Sequence, residues 1–257
     1  MHSVRFTAET SSNGVVERDF VVGEVPGVLW SPVAGPAHAP VVLMGHGGGL
    51  HKKTPALVSR AHDAVTRWGF TVVALDAPGH GDRPRTAEDD RARAEFRQAH
   101  TTGDSRLFEE TSVRYMISLA ERAVPEWQAT LDALQDLPEI GGEAPIGYGG
   151  GITVGTAIGV PLTAVDPRIT AAIFGGGLFG YPSLIEAARR ITVPIQFLLP
   201  WDDEHVDRRS GLDLFDAFAS TEKTLHANPG DHRTIRWIGL DDEFLVRHLG
   251  RVGASPA

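Results

Sequence analysis

Apolar and polar positions follow two rhythms along this chain. Val41–Met44, Thr71–Leu75, Ala144–Tyr148, Ile169–Phe174 and Val193–Leu199 are short and largely apolar. Runs of this kind fit strands buried on both faces, as in a parallel sheet. Between them, apolar residues recur at helical spacing. Leu57, Ala61, Ala64, Val65 and Trp68 follow Thr54-Pro55 and end at Gly69, which predicts a helix with Thr at its N-cap and Pro in its first turn. Further helices are expected over Thr153–Val165 with a kink at Pro161, over Pro182–Arg190, over Ser210–Ala219 and over Asp241–Leu249. Thr224–Ala227 reads as a last short strand. Alternation of strand and helix predicts a mostly parallel sheet with right-handed crossovers.

Two stretches depart from this alternation. Val4–Thr7 and Val15–Val22 read as strands of an antiparallel edge, followed by a Pro/Ala-rich link over Pro32–Pro40. Residues 86–136 carry no strand signal. Ala87–His100 is charged and helical, Phe108–Ala123 carries an apolar stripe, Pro125 interrupts it, and Trp127, Leu131 and Leu134 continue it. About fifty residues of helix between strands predict a lid or cap inside a single domain spanning 1–257. Ordinary helices flanking the sheet are the alternative.

Composition narrows the function classes. The chain has 257 residues, 42% hydrophobic and 22% charged, with a formal net charge of −9. That balance suits one α/β domain and disfavours a nucleic-acid partner, which calls for clustered Lys and Arg. With no cysteine, a disulfide framework, a Cys nucleophile and Cys-ligated zinc are excluded. Neither a signal peptide nor an apolar run of membrane-spanning length is evident, so no membrane partner and a cytoplasmic location are expected.

Reactive groups in open parallel sheets collect past the carboxyl ends of the strands. Four such ends carry unusual residues here: His46-Gly47-Gly48-Gly49, Gly151-Ile152-Thr153-Val154-Gly155, Trp201-Asp202-Asp203-Glu204-His205-Val206 and Asn228-Pro229-Gly230-Asp231-His232. A hydroxyl, a carboxylate and an imidazole thus occur in the order Thr153, Asp203, His232, the order of a hydrolase triad built on such a sheet. No dinucleotide or phosphate loop can be drawn through the glycines at 147–155, and no metal-ligand spacing such as H-E-x-x-H is present. Asp76, Asp82 and His51 add carboxylates and an imidazole without a metal pattern, and no cofactor is expected.

With VVLMGHGGG, DAPGHGD, GITVGTAIGVPL, WDDEHV and HANPGDH in this order, the sequence resembles the α/β-hydrolase superfamily, of the dienelactone-hydrolase-like or small-esterase kind. That resemblance runs from about Pro40 to His232. It implies an α/β-hydrolase fold and hydrolysis of an ester or lactone bond of a small-molecule substrate. It puts Thr153 at the nucleophile elbow where the family has serine, His232 as base and Asp203, rather than Asp202, as the acid that orients it. It also makes the backbone N–H groups of Gly48 and Val154 an oxyanion hole. His46, Gly47, Tyr148 and Trp201 become pocket residues, with loop bracing the alternative for His46 and core packing for the two aromatic residues. The β-methyl of Thr153 restricts χ1 and crowds the turn, which leaves two other functions open: a lyase, cyclase or decarboxylase that uses His232 and Asp203 as a general base, and a catalytically silent small-molecule-binding protein.

Overall fold

The computed structural model describes residues 3–250 other than 233 and 236. A nine-stranded sheet runs through it, in the order β1-β2-β3-β5-β4-β6-β7-β8-β9. Its parallel body consists of β4 (Val41–Met44), β5 (Thr71–Leu75), β6 (Ile146–Gly149), β7 (Ile169–Gly175), β8 (Ile195–Pro200) and β9 (Lys223–Asn228). β4 and β5 are buried at every position, as expected of strands covered on both faces. β1 (Val4–Ser12), β2 (Val15–Val22) and β3 (Val25–Pro32) form the antiparallel edge and join the body through β3 against β5.

β3 was not expected from the sequence. Pro26 and Gly27 break its apolar run, yet Gly27 is required there: a Cβ would lie 2.2 Å from the Phe20 ring of the neighbouring strand. Thus Val25–Pro32 is strand, and it takes in Pro32, the first residue of the expected link.

Helices cover both faces. α1 (Pro55–Trp68) turns Leu57, Ala61, Ala64 and Val65 onto one face, beside α7 (Phe244–Leu249). Gly69 closes α1 in a left-handed conformation, its N–H donating to Ala64 and Val65 carbonyls. Thr54 precedes the helix without capping it, because its hydroxyl donates to the His51 carbonyl instead. The other face carries α3 (Ser105–Gln135), α4 (Val154–Val165), α5 (Pro182–Ala188) and α6 (Arg208–Ala217).

The 86–136 region is two helices, α2 (Ala87–Thr102) and α3. α3 runs unbroken through Pro125, contrary to the interruption expected there. Ala123, Trp127, Thr130, Leu131 and Leu134 are buried on either side of the proline. Tertiary burial of that stripe outweighs the one hydrogen bond and the local crowding that a proline costs. The second half of α3 is therefore a sheet-flanking helix of the core, while α2 exposes most of its length and begins in a capping box between Thr86 and Asp89.

Candidate active site

Past the end of β6 the chain reverses and enters α4 at Thr153, whose φ of 63° and ψ of −107° lie in the left-handed half of conformational space. A β-branched residue is a genuine outlier there, and such strain is kept only where the surroundings over-determine it. Two sets of contacts do so. The Thr153 N–H donates to Gly176 O at 3.1 Å and its carbonyl accepts from Ala157 at 2.9 Å. The Thr156 hydroxyl lies 3.0 Å from Gly151 O and 2.7 Å from Gly175 O, and accepts the Gly175 N–H at 3.1 Å, which ties the turn to β7.

Beneath the turn sits Tyr148, fully buried, with its hydroxyl donating to Gly155 O at 2.7 Å. A Cβ on Gly150 would lie 1.9 Å from this ring and one on Gly159 2.1 Å. Tyr148 is therefore a core residue that shapes the turn from below, not a pocket wall. The flanking glycines singled out by spacing, Gly151 and Gly155, have looser surroundings: their nearest contacts would be 3.4 and 3.7 Å away.

Across the site, the loops after β8 and β9 bring Asp203 and His232 together. The His232 ring Nδ1 lies 2.6 Å from Asp203 Oδ2, and the His232 backbone N–H donates to the same oxygen. Asp203 Oδ1 accepts the N–H groups of His205 at 2.8 Å and Val206 at 3.0 Å. Burial works against the Asp203 charge, but the backbone donors of His205, His232 and Val206 and the His232 ring together outweigh it and hold the carboxyl below its usual value. The side chain is fully buried. Asp202, the alternative acid, is exposed and among the described residues its side chain meets only the Gly230 N–H, at 3.3 Å.

His46 is 5% exposed. Its Nε2 accepts the Ala77 N–H at 3.0 Å, so Nδ1 carries the proton and donates to Gly47 O at 2.9 Å. Burial pushes its pKa down to about 4. Both nitrogens are thereby spent on backbone: His46 braces the turn after β4 and does not line a pocket. Lys52 strengthens the same brace. Its Nζ contacts Asp76 and Asp82 at 2.6 Å each and its backbone N–H donates to Asp76 Oδ1 at 2.8 Å. This absorbs two of the carboxylates noted in the sequence. Gly47 is half-buried and Gly48 exposed at the tip of the turn. A Cβ on Gly48 would sit 3.6 Å from a Val154 methyl, so the turn abuts the start of α4. Neither the Gly48 nor the Val154 N–H bonds to a described residue. Trp201 is half-buried under the Arg208 guanidinium, 4.4 Å from its ring centroid.

Around this centre lies a cluster of rings that sequence reasoning missed. Phe108 of α3 meets Phe179 at 5.8 Å and His205 at 6.4 Å; His100 at the end of α2 meets His205 at 5.4 Å, and His205 meets His232 at 6.1 Å. No local pattern marks these residues, since they come together only when the α2–α3 pair folds over the loops after β7 and β8. The Thr153 hydroxyl makes no hydrogen bond with a described residue. A cleft of about 500 Å3 opens beside Gly49 and Leu50. Two of its arginines face acids: Arg83 is bidentate on Glu126 at 2.6 and 2.7 Å, and Arg85 contacts Asp90 at 3.0 Å; Arg93 donates to the Gly79 carbonyl at 2.9 Å.

Asp203, Asp231 and His232 place ligand atoms within 4.8 Å of one another. Asp203 nevertheless accepts four N–H groups, which occupy the lone pairs a metal would use.

No family model and no curated protein sequence matches the chain. Among solved structures, it is similar to a cold-adapted esterase from an Arctic intertidal metagenomic library, with 33% identity, 90% of this chain and 92% of that one covered, and a TM-score of 0.70. Similar folds at lower identity are the acetyl xylan esterase of Paenibacillus sp. R4 (14%, 91% and 84% covered, TM-score 0.62) and the dienelactone hydrolase of Anabaena variabilis (20%, 90% and 89% covered, TM-score 0.54). Fold, strand-end loops and the Asp203–His232 contact place the molecule among enzymes built on a parallel sheet with reactive groups past its strand ends. More narrowly, the chain belongs to the α/β-hydrolase superfamily. Among the described residues, no helix is long and apolar enough to cross a membrane.

Proposed function

We propose that the chain hydrolyses carboxylic esters of small molecules through Thr153, His232 and Asp203. The observation that carries this reading is the left-handed backbone at Thr153, a strained conformation of the kind that presents a nucleophile at a strand-to-helix turn. Esterases among the similar structures support it.

In this mechanism the Thr153 Oγ1 attacks the carbonyl carbon while its proton passes to the His232 Nε2. Asp203 accepts the Nδ1–H, keeps the tautomer and stabilises the imidazolium without taking the proton. Negative charge gathers on the carbonyl oxygen, where the Gly48 and Val154 N–H groups donate to it; a donor of this kind contributes about 3–4 kcal/mol in the transition state. Collapse breaks the ester C–O bond, and the alcohol leaves with the proton from His232. Water, deprotonated by His232, then cleaves the acyl–Thr153 ester, releases the acid and returns the proton to Thr153. The α2–α3 pair covers the site and limits water. No cofactor or metal enters any step.

A second reading keeps His232 and Asp203 as a general base and leaves Thr153 as a substrate contact. What favours it is that the Thr153 hydroxyl bonds to no described residue, although such contacts often close only when substrate is bound. Activity on a short-chain p-nitrophenyl ester separates the two. The proposed function expects Thr153→Ala to lose about 10⁶-fold in kcat while Thr153→Ser keeps or raises it. Equal activity in wild type and Thr153→Ala sinks the nucleophile role.

A further inference from the structure

A narrow slot of about 10 Å3 lies beside Thr153, walled by Val113, Met116, Ala157, Phe179 and Tyr181 among others. A space of this size is room for about one water molecule, and hence for a single methyl group. Tyr181 is the partition. The same residue lines two open grooves of about 690 Å3 each, one running along α3 past Val113 and Ile117, the other along α5 and α6 past Ile185 and Asp213. Tyr181 is only 6% exposed, and its buried hydroxyl has no hydrogen-bond partner among the described residues. Packing of the ring, not a polar contact, therefore holds the wall in place.

The slot takes the acyl side of the substrate. In a two-step hydrolysis the alcohol must depart while the acyl group stays on the enzyme, and a slot of this volume has no room for a bulky alcohol. We infer that Tyr181 ends the acyl-binding slot and makes the substrates acetyl esters. This rests on the proposed role of Thr153. A misplaced methylene in an apolar pocket is worth about 10–200-fold, so each added carbon of the acyl chain meets a steep penalty until the wall is removed.

The test is kcat/KM for p-nitrophenyl acetate, butyrate and hexanoate with wild type, Tyr181→Leu and Tyr181→Phe. Wild type should fall about 100-fold or more from acetate to hexanoate. Tyr181→Leu should narrow that gap at least ~10-fold by raising the rate on hexanoate. Tyr181→Phe should keep the wild-type profile and at least the wild-type melting temperature, because the lost hydroxyl bonded to nothing. Leu184→Ala, which enlarges the same slot from α5, takes the place of Tyr181→Leu if that variant does not fold. Wild type turning over hexanoate as fast as acetate, or parallel profiles in wild type and the enlarged variant, overturns the proposal. Should Thr153→Ala match wild type on acetate, the nucleophile reading fails instead, and the slot is judged by binding alone. Saturation-transfer NMR should then show hexanoate binding the enlarged variant at least ~10-fold tighter than wild type with acetate unchanged; equal hexanoate affinities overturn the slot as well.

Discussion

The turn carrying Thr153 and the loops carrying Asp203 and His232 face the same site, but different physics holds each. Packing fixes the turn. Tyr148 fills the space below it, Gly150 and Gly159 yield to that ring, and no charged side chain takes part among the contacts described above. The acid–base pair is fixed by charge and hydrogen bonds: four N–H groups converge on one buried carboxylate. A packed turn should respond to volume and be indifferent to pH. A carboxylate held by donors should respond to pH and to the loss of its charge.

Asp203→Asn probes the electrostatic half and carries the largest expected effect on stability. An amide cannot accept on both sides, so the His232 tautomer is lost and kcat should fall by about 10⁴-fold. Stability should fall by about 3 kcal/mol at pH 7, since hydrogen bonds to a buried charge are worth about 1.5–3 kcal/mol each. The Asp203 pKa is depressed in the folded state. Its contribution is therefore complete above the unfolded value of about 3.9 and disappears as pH falls through the folded value. Denaturation of wild type and variant should consequently converge in acid. A stability gap that stays constant from pH 7 to pH 2 breaks the contrast between the two loops.

Gly150→Ala probes the packed half. Its new methyl would start 1.9 Å from the Tyr148 ring, which cannot retreat without giving up burial and its bond to Gly155. Overpacking of this kind costs about 1–3 kcal/mol, here at every pH where wild type is folded. In Gly150→Ala/Tyr148→Val the clash is absent, so urea denaturation should show a loss smaller than the sum of the single losses. Strict additivity removes Tyr148 as the reason for the glycine.

That contrast also explains what the sequence made legible. Parallel strands such as Val41–Met44 and Thr71–Leu75 stand out because burial on both faces demands an unbroken apolar run. Thr153, Asp203 and His232 stand out because strand ends carry chemistry at recurrent spacings, and Asp203 meets His232 while Asp202 does not. Long-range fit is what stayed hidden. β3 gave no strand signal because Pro26 and Gly27 break its pattern, whereas Gly27 answers to Phe20 of another strand. Pro125 looked like a helix end because its local cost is visible and the burial of Trp127 and Leu131 is not. For Tyr148, next to the turn in sequence, a pocket place and core packing both stood open, and it points beneath the turn; Tyr181, 28 residues after Thr153 by number, lines the slot without any local sign.

Thr153→Gly gives the smallest expected effect on stability and the sharpest comparison within the packed half. Glycine adopts φ of +63° without steric penalty, so the strain of about 1–3 kcal/mol stored at a β-branched residue there is released. Against that gain stands the extra backbone freedom of glycine in the unfolded chain, about 0.5–1 kcal/mol. The net expectation is a variant about 1 kcal/mol more stable than wild type, which for a chain of this length raises Tm by about 2–4 °C, with ester hydrolysis lost. Stability gained and activity lost at one position is how a strained functional residue behaves. If Thr153→Gly proved less stable than wild type, the β-branched side chain would be contributing packing that exceeds its strain, and the turn would owe its shape to the core alone.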